Sequence, residues 1–185
     1  MTQGFNLIVT TQRGNERSCI KEFSRLAHRV SEGDLQMRRT RFPGLITGRF
    51  EGDPVELCRR IRDVVIEDPW SVRFVQKAIP LSLTVEASIR AIKEAVASIS
   101  GGIGAGESFR ISVTKRGSEL SSREIISEAA GCIERRVDLE RPDRIVQIEI
   151  VDETAGIALL RPDDILSVTR MQQDAMEMEG QPQQQ

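Results

Sequence analysis

His28 is the single histidine in 185 residues, and that count removes much of hydrolytic and metal chemistry. A two-histidine phosphoesterase or a multi-histidine zinc site cannot be built, and Cys19, Cys58 and Cys132 lack the paired spacing of a zinc thiolate site. The glycines of Gly101-Gly102-Ile103-Gly104-Ala105-Gly106 invite a phosphate-cradle reading. That device needs a strand before the loop and a helix after it, so that helix-start amides face the phosphate. Here a helix is expected before and a strand after. Arg13-Gly14-Asn15 is too short for a phosphate cradle behind a first strand, and a Ser-His-Asp group would have to recruit His28 without a local motif. No cofactor, metal site or catalytic residue is expected.

What remains is cationic residues on turns and element ends. Lys115 and Arg116 close an expected strand, Ser122 and Arg123 open the next helix, and Arg135, Arg136 and Arg141 lie at and beyond its far end. Arginine can grip phosphates bidentately, and a helix start offers unpaired amides to an anion. The alternative is that these charges are solvated, with Arg135 and Arg136 complementing the dipole at the helix C-terminus. Lys and Arg total 26 against 28 Asp and Glu, a net charge of -2, so global charge does not point to nucleic acid. Locally the balance shifts. Residues 13 to 41 hold eight Lys/Arg, including Arg13, Arg38, Arg39 and Arg41, against the four acids Glu16, Glu22, Glu32 and Asp34, while residues 171 to 185 add only Asp174, Glu177 and Glu179.

The elements that must position these residues fall into two groups. Residues 5 to 11 are rich in aromatic, β-branched and aliphatic types and read as a strand. From Asn15 as N-cap, Cys19, Ile20, Phe23, Leu26, Ala27 and Val30 form a helical stripe, with Arg17, Lys21, Arg25 and Arg29 opposite. Strands over 35–41 and 45–50 join through Phe42-Pro43-Gly44. Asp53-Pro54-Val55-Glu56 starts a second helix, and Val72, Phe74 and Val75 mark a fourth strand, with residues 77 to 83 as connector. The order is βαββαβ, the ferredoxin-like arrangement.

A second group begins with a helix whose stripe is Val85, Ile89, Ile92, Val96 and Ile99. A strand from Phe109 to Gly117 follows the glycine-rich loop, Ser121-Ser122-Arg123-Glu124 has capping-box spacing, and residues 145–151 and 155–160 make a hairpin through Asp152-Glu153-Thr154. The predicted division is 1–79, 80–170 and a disordered polar tail over 171–185. The three cysteines are read as buried structural thiols on helices. Neither an N-terminal signal pattern nor an apolar run of membrane-spanning length is present, so a cytoplasmic protein is expected.

Four segments carry a family resemblance: the strand ending Lys115-Arg116-Gly117, the helix start Ser122-Arg123-Glu124-Ile125, Val137-Asp138-Leu139 followed by Pro142-Asp143, and Val146-Gln147-Ile148-Glu149-Ile150. In order and spacing they resemble the second half of THUMP domains, over roughly residues 80 to 162. The fold class expected is therefore α+β, an N-terminal ferredoxin-like domain followed by a THUMP domain, an order this superfamily shows. The resemblance implies that the two domains together hold tRNA, in several members through the acceptor stem and its 3′ end, while another domain or protein does the chemistry. An appended methyltransferase, sulfur-transfer or pseudouridine synthase domain is not expected past Arg170.

The layout most resembles stand-alone THUMP proteins that assist a tRNA cytidine N4-acetyltransferase. The reading is a non-catalytic adaptor that binds tRNA across the groove between its domains and presents it to that separate enzyme. Lys115, Arg116, Ser122, Arg123, Arg135, Arg136 and Arg141 would serve the THUMP part, and Arg13, Arg38, Arg39 and Arg41 would extend the surface. Two other classes stay open: a protein-interaction module without RNA binding, and a small-molecule enzyme.

Overall fold

The computed structural model describes residues 4–180. In chain order the elements are β1 (Leu7–Thr10), α1 (Glu16–Val30), β2 (Leu35–Arg39), β3 (Leu45–Phe50), α2 (Pro54–Glu67) and β4 (Lys77–Pro80). There follow β5 (Leu83–Glu86), α3 (Ile89–Ser100), β6 (Ser108–Arg116), α4 (Ser122–Ala130), β7 (Arg136–Val137), β8 (Arg144–Val151) and β9 (Thr154–Leu160). The chain closes with β10 (Leu166–Ser167) and α5 (Val168–Glu179). The protein is thus mixed α/β, with two five-stranded sheets and five α-helices among the described residues.

These elements form two compact units, and the chain passes between them more than once. Among the described residues, the first unit holds Leu7–Ile79 and those from Ile165 to Gly180; the second holds Gly4 to Asn6 together with Pro80–Asp164. This differs from a division into 1–79 and 80–170 at both ends of the chain. Residues 4–6 lie in the second unit, where Asn6 accepts the Leu81 amide and Phe5 packs against Gly156. A Cβ on Gly156 would crowd a Leu81 methyl and the Phe5 ring, so a larger residue there requires both side chains to shift. Conversely, β10 pairs antiparallel with β4 in the first unit.

The first unit orders its sheet β10-β4-β1-β3-β2, with β1 and β2 both antiparallel to β3. Apolar faces of α1 (Phe23, Leu26) and α2 (Leu57, Ile61, Val65) pack with Leu7, Val9 and Ile46 into one core. Local chemistry sets the helix starts. The Asp53 carboxylate accepts the Val55 and Glu56 amides at 2.8 and 3.3 Å, and Pro54 fills a position where no amide donor is needed. Asn15 caps α1 by position alone, without a side-chain hydrogen bond.

The expected strand over Val72–Val75 is not one. The Glu22 carboxylate on α1 accepts the Arg73, Phe74 and Val75 amides, each at 2.8 Å, so these residues satisfy their donors on a side chain instead of a ladder. The strand forms at Lys77–Pro80, in the stretch read as connector. Nor is 171–185 a tail throughout: α5 runs to Glu179, and Gln172 donates to the carbonyls of Pro69 and Val72 at 2.8 Å each. Val168 is buried and Met171 packs on the core, which gives this polar helix enough apolar contact to form. Residues 181 to 185 lie outside the described residues.

The second unit orders its sheet β5-β9-β8-β6-β7. Strands β6 and β8 are parallel from Phe109↔Arg144 to Arg116↔Val151, and β8 returns antiparallel as β9. Asp152, with φ 53°, turns that hairpin, a conformation an aspartate tolerates. Ile92, Val96, Ile125 and Ile133 pack against Phe109, Val146, Ile148 and Ile150. Val85 fits the helical period of α3 but lies on β5, because Ser88 starts the helix by accepting the Ala91 amide at 3.2 Å. Ser121 caps α4 through the Glu124 amide at 3.3 Å, at the predicted spacing. Among the described residues no helix is long and apolar enough to cross a membrane.

Candidate nucleic-acid interface

In the second unit the cations do not form one patch; the strand direction of β6 divides them. Lys115, Arg116, Ser122 and Arg123 gather where β6 ends and α4 begins. Arg135, Arg136 and Arg141 gather where β6 begins, because Arg136 pairs with Ser108 and the 138–143 loop leads into β8. The nine residues of β6 are separated by steps of about 3.3 Å, which puts roughly 26 Å between its first and last residue.

At the β6 C-terminal end, Lys115 is half-buried and its ammonium donates to the Leu120 carbonyl at 2.5 Å, holding the 117–121 loop. Arg116 and Arg123 are exposed. Acids surround this end: Glu86, Glu119, Asp152 and Glu153 line a depression of about 710 Å³ with Gly117 and Ser118. Ser122 is half-buried in the first turn of α4, and the capping role falls to Ser121.

At the opposite end, Arg135 is also committed to the fold. Its Nε donates to the Ile103 and Gly104 carbonyls, both at 3.1 Å, which pins the glycine-rich loop. Arg136 and Arg141 are exposed. Two further arginines join them. Arg110 donates to the Leu139 carbonyl at 3.2 Å, and Arg144 lies 3.9 Å from Glu107 with a buried Nε that has no hydrogen-bond partner. Neither was legible from sequence, since Arg110 sits inside the expected strand over 109–117 and Arg144 directly before the one over 145–151.

The two aspartates of the loop at this end are occupied by backbone. Asp143 accepts the Ser108 amide at 2.8 Å and the Ser108 hydroxyl at 2.9 Å, and these bonds, with Arg136 nearby, hold its carboxyl below the ordinary value of 3.8. Asp138 accepts the Arg141 and Glu140 amides at 2.9 and 3.1 Å, which lowers its carboxyl likewise. The Val137–Asp143 segment therefore shapes the loop and the entry to β8. Val137 and Leu139, 55% and 70% exposed, stand outside the core.

In the first unit the four arginines singled out by charge do come together. Arg13, from the β1–α1 turn, and Arg38, Arg39 and Arg41, from the end of β2 and the turn beyond, line one open depression of about 810 Å³ with Gly14, Glu16, Thr40, Phe42 and Pro43. All four arginines are exposed. The Arg41 guanidinium lies 4.4 Å from the centre of the Phe42 ring, a cation–π contact. Thr40 holds the turn, donating to the Leu45 carbonyl at 2.9 Å and accepting the Phe42 amide at 3.1 Å. Such a surface suits a phosphate-bearing ligand beside a stacking platform. His28 is exposed and outside it.

Glu16 is the one acid lining that depression. Its carboxylate accepts the Gly44 amide at 2.7 Å and the Gly14 amide at 3.2 Å. The Gly44 bond is the main cause of a carboxyl held below the usual 4.5; its own amide, Gly14 and Arg39 also contribute. In the sequence it is only one of four acids among the cations of residues 13 to 41. Among the described residues no group of three or more His, Cys, Asp or Glu side chains is placed to hold a metal ion.

The fold has solved relatives. PH1313 from Pyrococcus horikoshii Ot3 superposes with a TM-score of 0.62 at 17% identity over 89% of this chain. TrmN from Thermus thermophilus gives 0.57 at 19% over 86%, and a predicted N6-adenine-specific DNA methylase from Listeria monocytogenes str. 4b F2365 gives 0.54 at 15% over 84%. At these identities the likeness is one of fold. The chain spans about half the length of these structures, covering 55%, 47% and 40% of them respectively. No curated protein matches the chain. Residues 86–160 match the THUMP domain family, the interval that runs from the end of β5 to the end of β9. The second unit of this protein therefore contains a THUMP domain.

Proposed function

We propose that this protein is a non-catalytic tRNA-binding adaptor of the cytoplasm, which presents tRNA to a separate modifying enzyme, a tRNA cytidine N4-acetyltransferase. The observation that carries RNA binding is the THUMP domain over residues 86–160. The other unit, whose expected βαββαβ order reads as ferredoxin-like, supports the reading with a concave surface lined by Arg13, Arg38, Arg39 and Arg41. In the THUMP part, Arg116, Arg123, Arg136 and Arg141 are the exposed cations that would meet phosphates. Their dispersal along both ends of a strand suits recognition of RNA shape and backbone rather than of a base sequence. The acetyltransferase rests on the family resemblance of the layout.

The test is a titration of total tRNA against the full chain at two salt concentrations, with an unrelated duplex RNA as competitor. Salt-sensitive binding that prefers tRNA is expected, followed by stimulation of tRNA acetylation when the candidate enzyme is added. Absence of binding at low salt would replace this reading by a protein-interaction module. Modification of tRNA by the chain alone would overturn the non-catalytic part.

A further inference from the structure

Glu16 is out of place by its charge. It is the one acid lining a depression that carries four arginines, and a carboxylate there repels the phosphates that those arginines would attract. Its bonds are not confined to the first turn of its own helix. Helix α1 begins without a side-chain cap, and the Glu16 side chain reaches across to Gly44, 28 residues away, as well as back to Gly14.

Both amides belong to turns of unusual backbone. Gly14 has φ 92° and Gly44 has φ 77°, the left-handed region that glycine enters without strain. A Cβ on Gly44 would lie 2.5 Å from the Thr11 carbonyl oxygen, and the Gly44 carbonyl accepts the Thr11 amide at 3.0 Å. The turn bearing Arg13 and the turn bearing Arg41 and Phe42 are thus brought side by side, and one carboxylate bonds an amide from each. A glutamate spans this gap; an aspartate, one methylene shorter, does not reach both amides from the same backbone position.

We propose that Glu16 is a positioning residue of the RNA-binding surface: it clips the Arg13 turn to the 40–44 turn so that arginines from two chain segments converge on one phosphate-bearing stretch of RNA. The inference rests on the RNA-binding reading above. It carries an unusual sign, because removing a negative charge from an RNA-binding face ordinarily tightens binding, whereas removing this one loosens it.

The experiment compares tRNA affinity and its salt dependence for the full chain and for Glu16→Ala, Glu16→Asp, Glu16→Gln and Glu32→Ala, with Arg38→Glu/Arg39→Glu as the reference for loss of the surface. Glu16→Ala is expected to weaken binding roughly tenfold and to flatten the salt slope, because fewer phosphates are neutralised. Glu16→Asp, which keeps the charge and the first-turn acid, weakens it similarly. Glu16→Gln keeps an acceptor oxygen for both amides and restores affinity to within about threefold of the parent. Glu32→Ala, which removes an exposed acid outside the depression, leaves affinity unchanged or raises it. Should Glu16→Ala prove unfolded by circular dichroism, Glu16→Asp carries the same comparison. Tighter or unchanged binding by folded Glu16→Ala or Glu16→Asp overturns the positioning role while leaving RNA binding intact. Unchanged binding by Arg38→Glu/Arg39→Glu instead removes the depression from the RNA surface, and the role of Glu16 with it.

Discussion

The Glu22 carboxylate and the Phe74 amide, 52 residues apart, meet at 2.8 Å, and the neighbouring Arg73 and Val75 amides meet the same carboxylate at the same distance. A side chain on α1 thereby does what a neighbouring strand would do for Val72–Val75. Glu22 is 6% exposed, so its carboxylate makes these bonds largely out of solvent.

Glu22→Ala is therefore expected to cost about 3 kcal/mol, the penalty of leaving buried donors unpaired after a charge-assisted network is removed. Glu22→Gln, which keeps one acceptor oxygen, costs about half of that. Urea unfolding of each variant is the measurement. A loss below about 0.5 kcal/mol for Glu22→Ala would mean that the segment re-pairs elsewhere.

Asp143 and Ser108 supply a pH prediction. The Asp143 carboxyl is held below 3.8 by the Ser108 amide and hydroxyl, so its folded-state value lies under its unfolded one. Its stabilising effect is present above about pH 3.8 and is lost as pH falls through the lowered folded-state value. Asp143→Asn should be less stable than the parent at neutral pH and should lose stability less steeply on acidification below about pH 4. Acid titrations of unfolding read both; parallel curves for parent and variant would remove the linkage.

The cations of the THUMP unit separate into those that hold the fold and those that face solvent. Lys115 supports the Leu120 carbonyl and Arg135 the Ile103 and Gly104 carbonyls, while Arg116 and Arg123 are exposed. Arg116→Glu with Arg123→Glu should weaken tRNA binding and lower the salt slope by about one for each phosphate that is no longer neutralised. Arg135→Ala should lower stability by about 1–2 kcal/mol, with a smaller effect on the salt slope. An unchanged slope for the Arg116/Arg123 reversal would remove these residues from the interface.

The thiols give a simple chemical check. Cys19 and Cys58 are buried, whereas Cys132 lies half-buried just past the end of α4 and not within a helix as its spacing suggests. Burial pushes the Cys19 thiol from 9.0 up to about 12. At mildly alkaline pH a soluble aromatic disulfide should modify Cys132 first and reach Cys19 and Cys58 only on unfolding. Because the raised value belongs to the folded state, Cys19 opposes folding as pH climbs from about 9 toward 12. Rapid modification of all three thiols in the native protein would contradict this burial.

Much of the local architecture is legible in the residues themselves. Asp53 with Pro54, and Ser121 with Glu124, announce helix starts because the cap is made within three positions by atoms of the same segment. The β8–β9 hairpin follows from its turn and the apolar strands on either side for the same reason. Val72–Val75 and Lys77–Pro80 exchange roles because Glu22 arrives from another element, and no local pattern records where that carboxylate goes. The polar composition of α5 hides a helix whose few apolar contacts, Val168 and Met171, lie on a core formed by distant residues.

The same division holds for the candidate site. Charge counting over residues 13 to 41 selects Arg13, Arg38, Arg39 and Arg41, and the order and spacing of four segments carry the resemblance to THUMP domains, because residue type and spacing are properties of the chain alone. Which of the cations share a surface is a different matter. The direction of β6 sends Lys115 and Arg116 to one end and Arg135 and Arg136 to the other, and hydrogen bonds to carbonyls withdraw Lys115 and Arg135 into the fold. In the first unit, two turns separated by α1 and β2 are set side by side with Glu16 bonded to both. Only tertiary structure decides this, since a contact between residues 16 and 44 depends on the packing of everything between them.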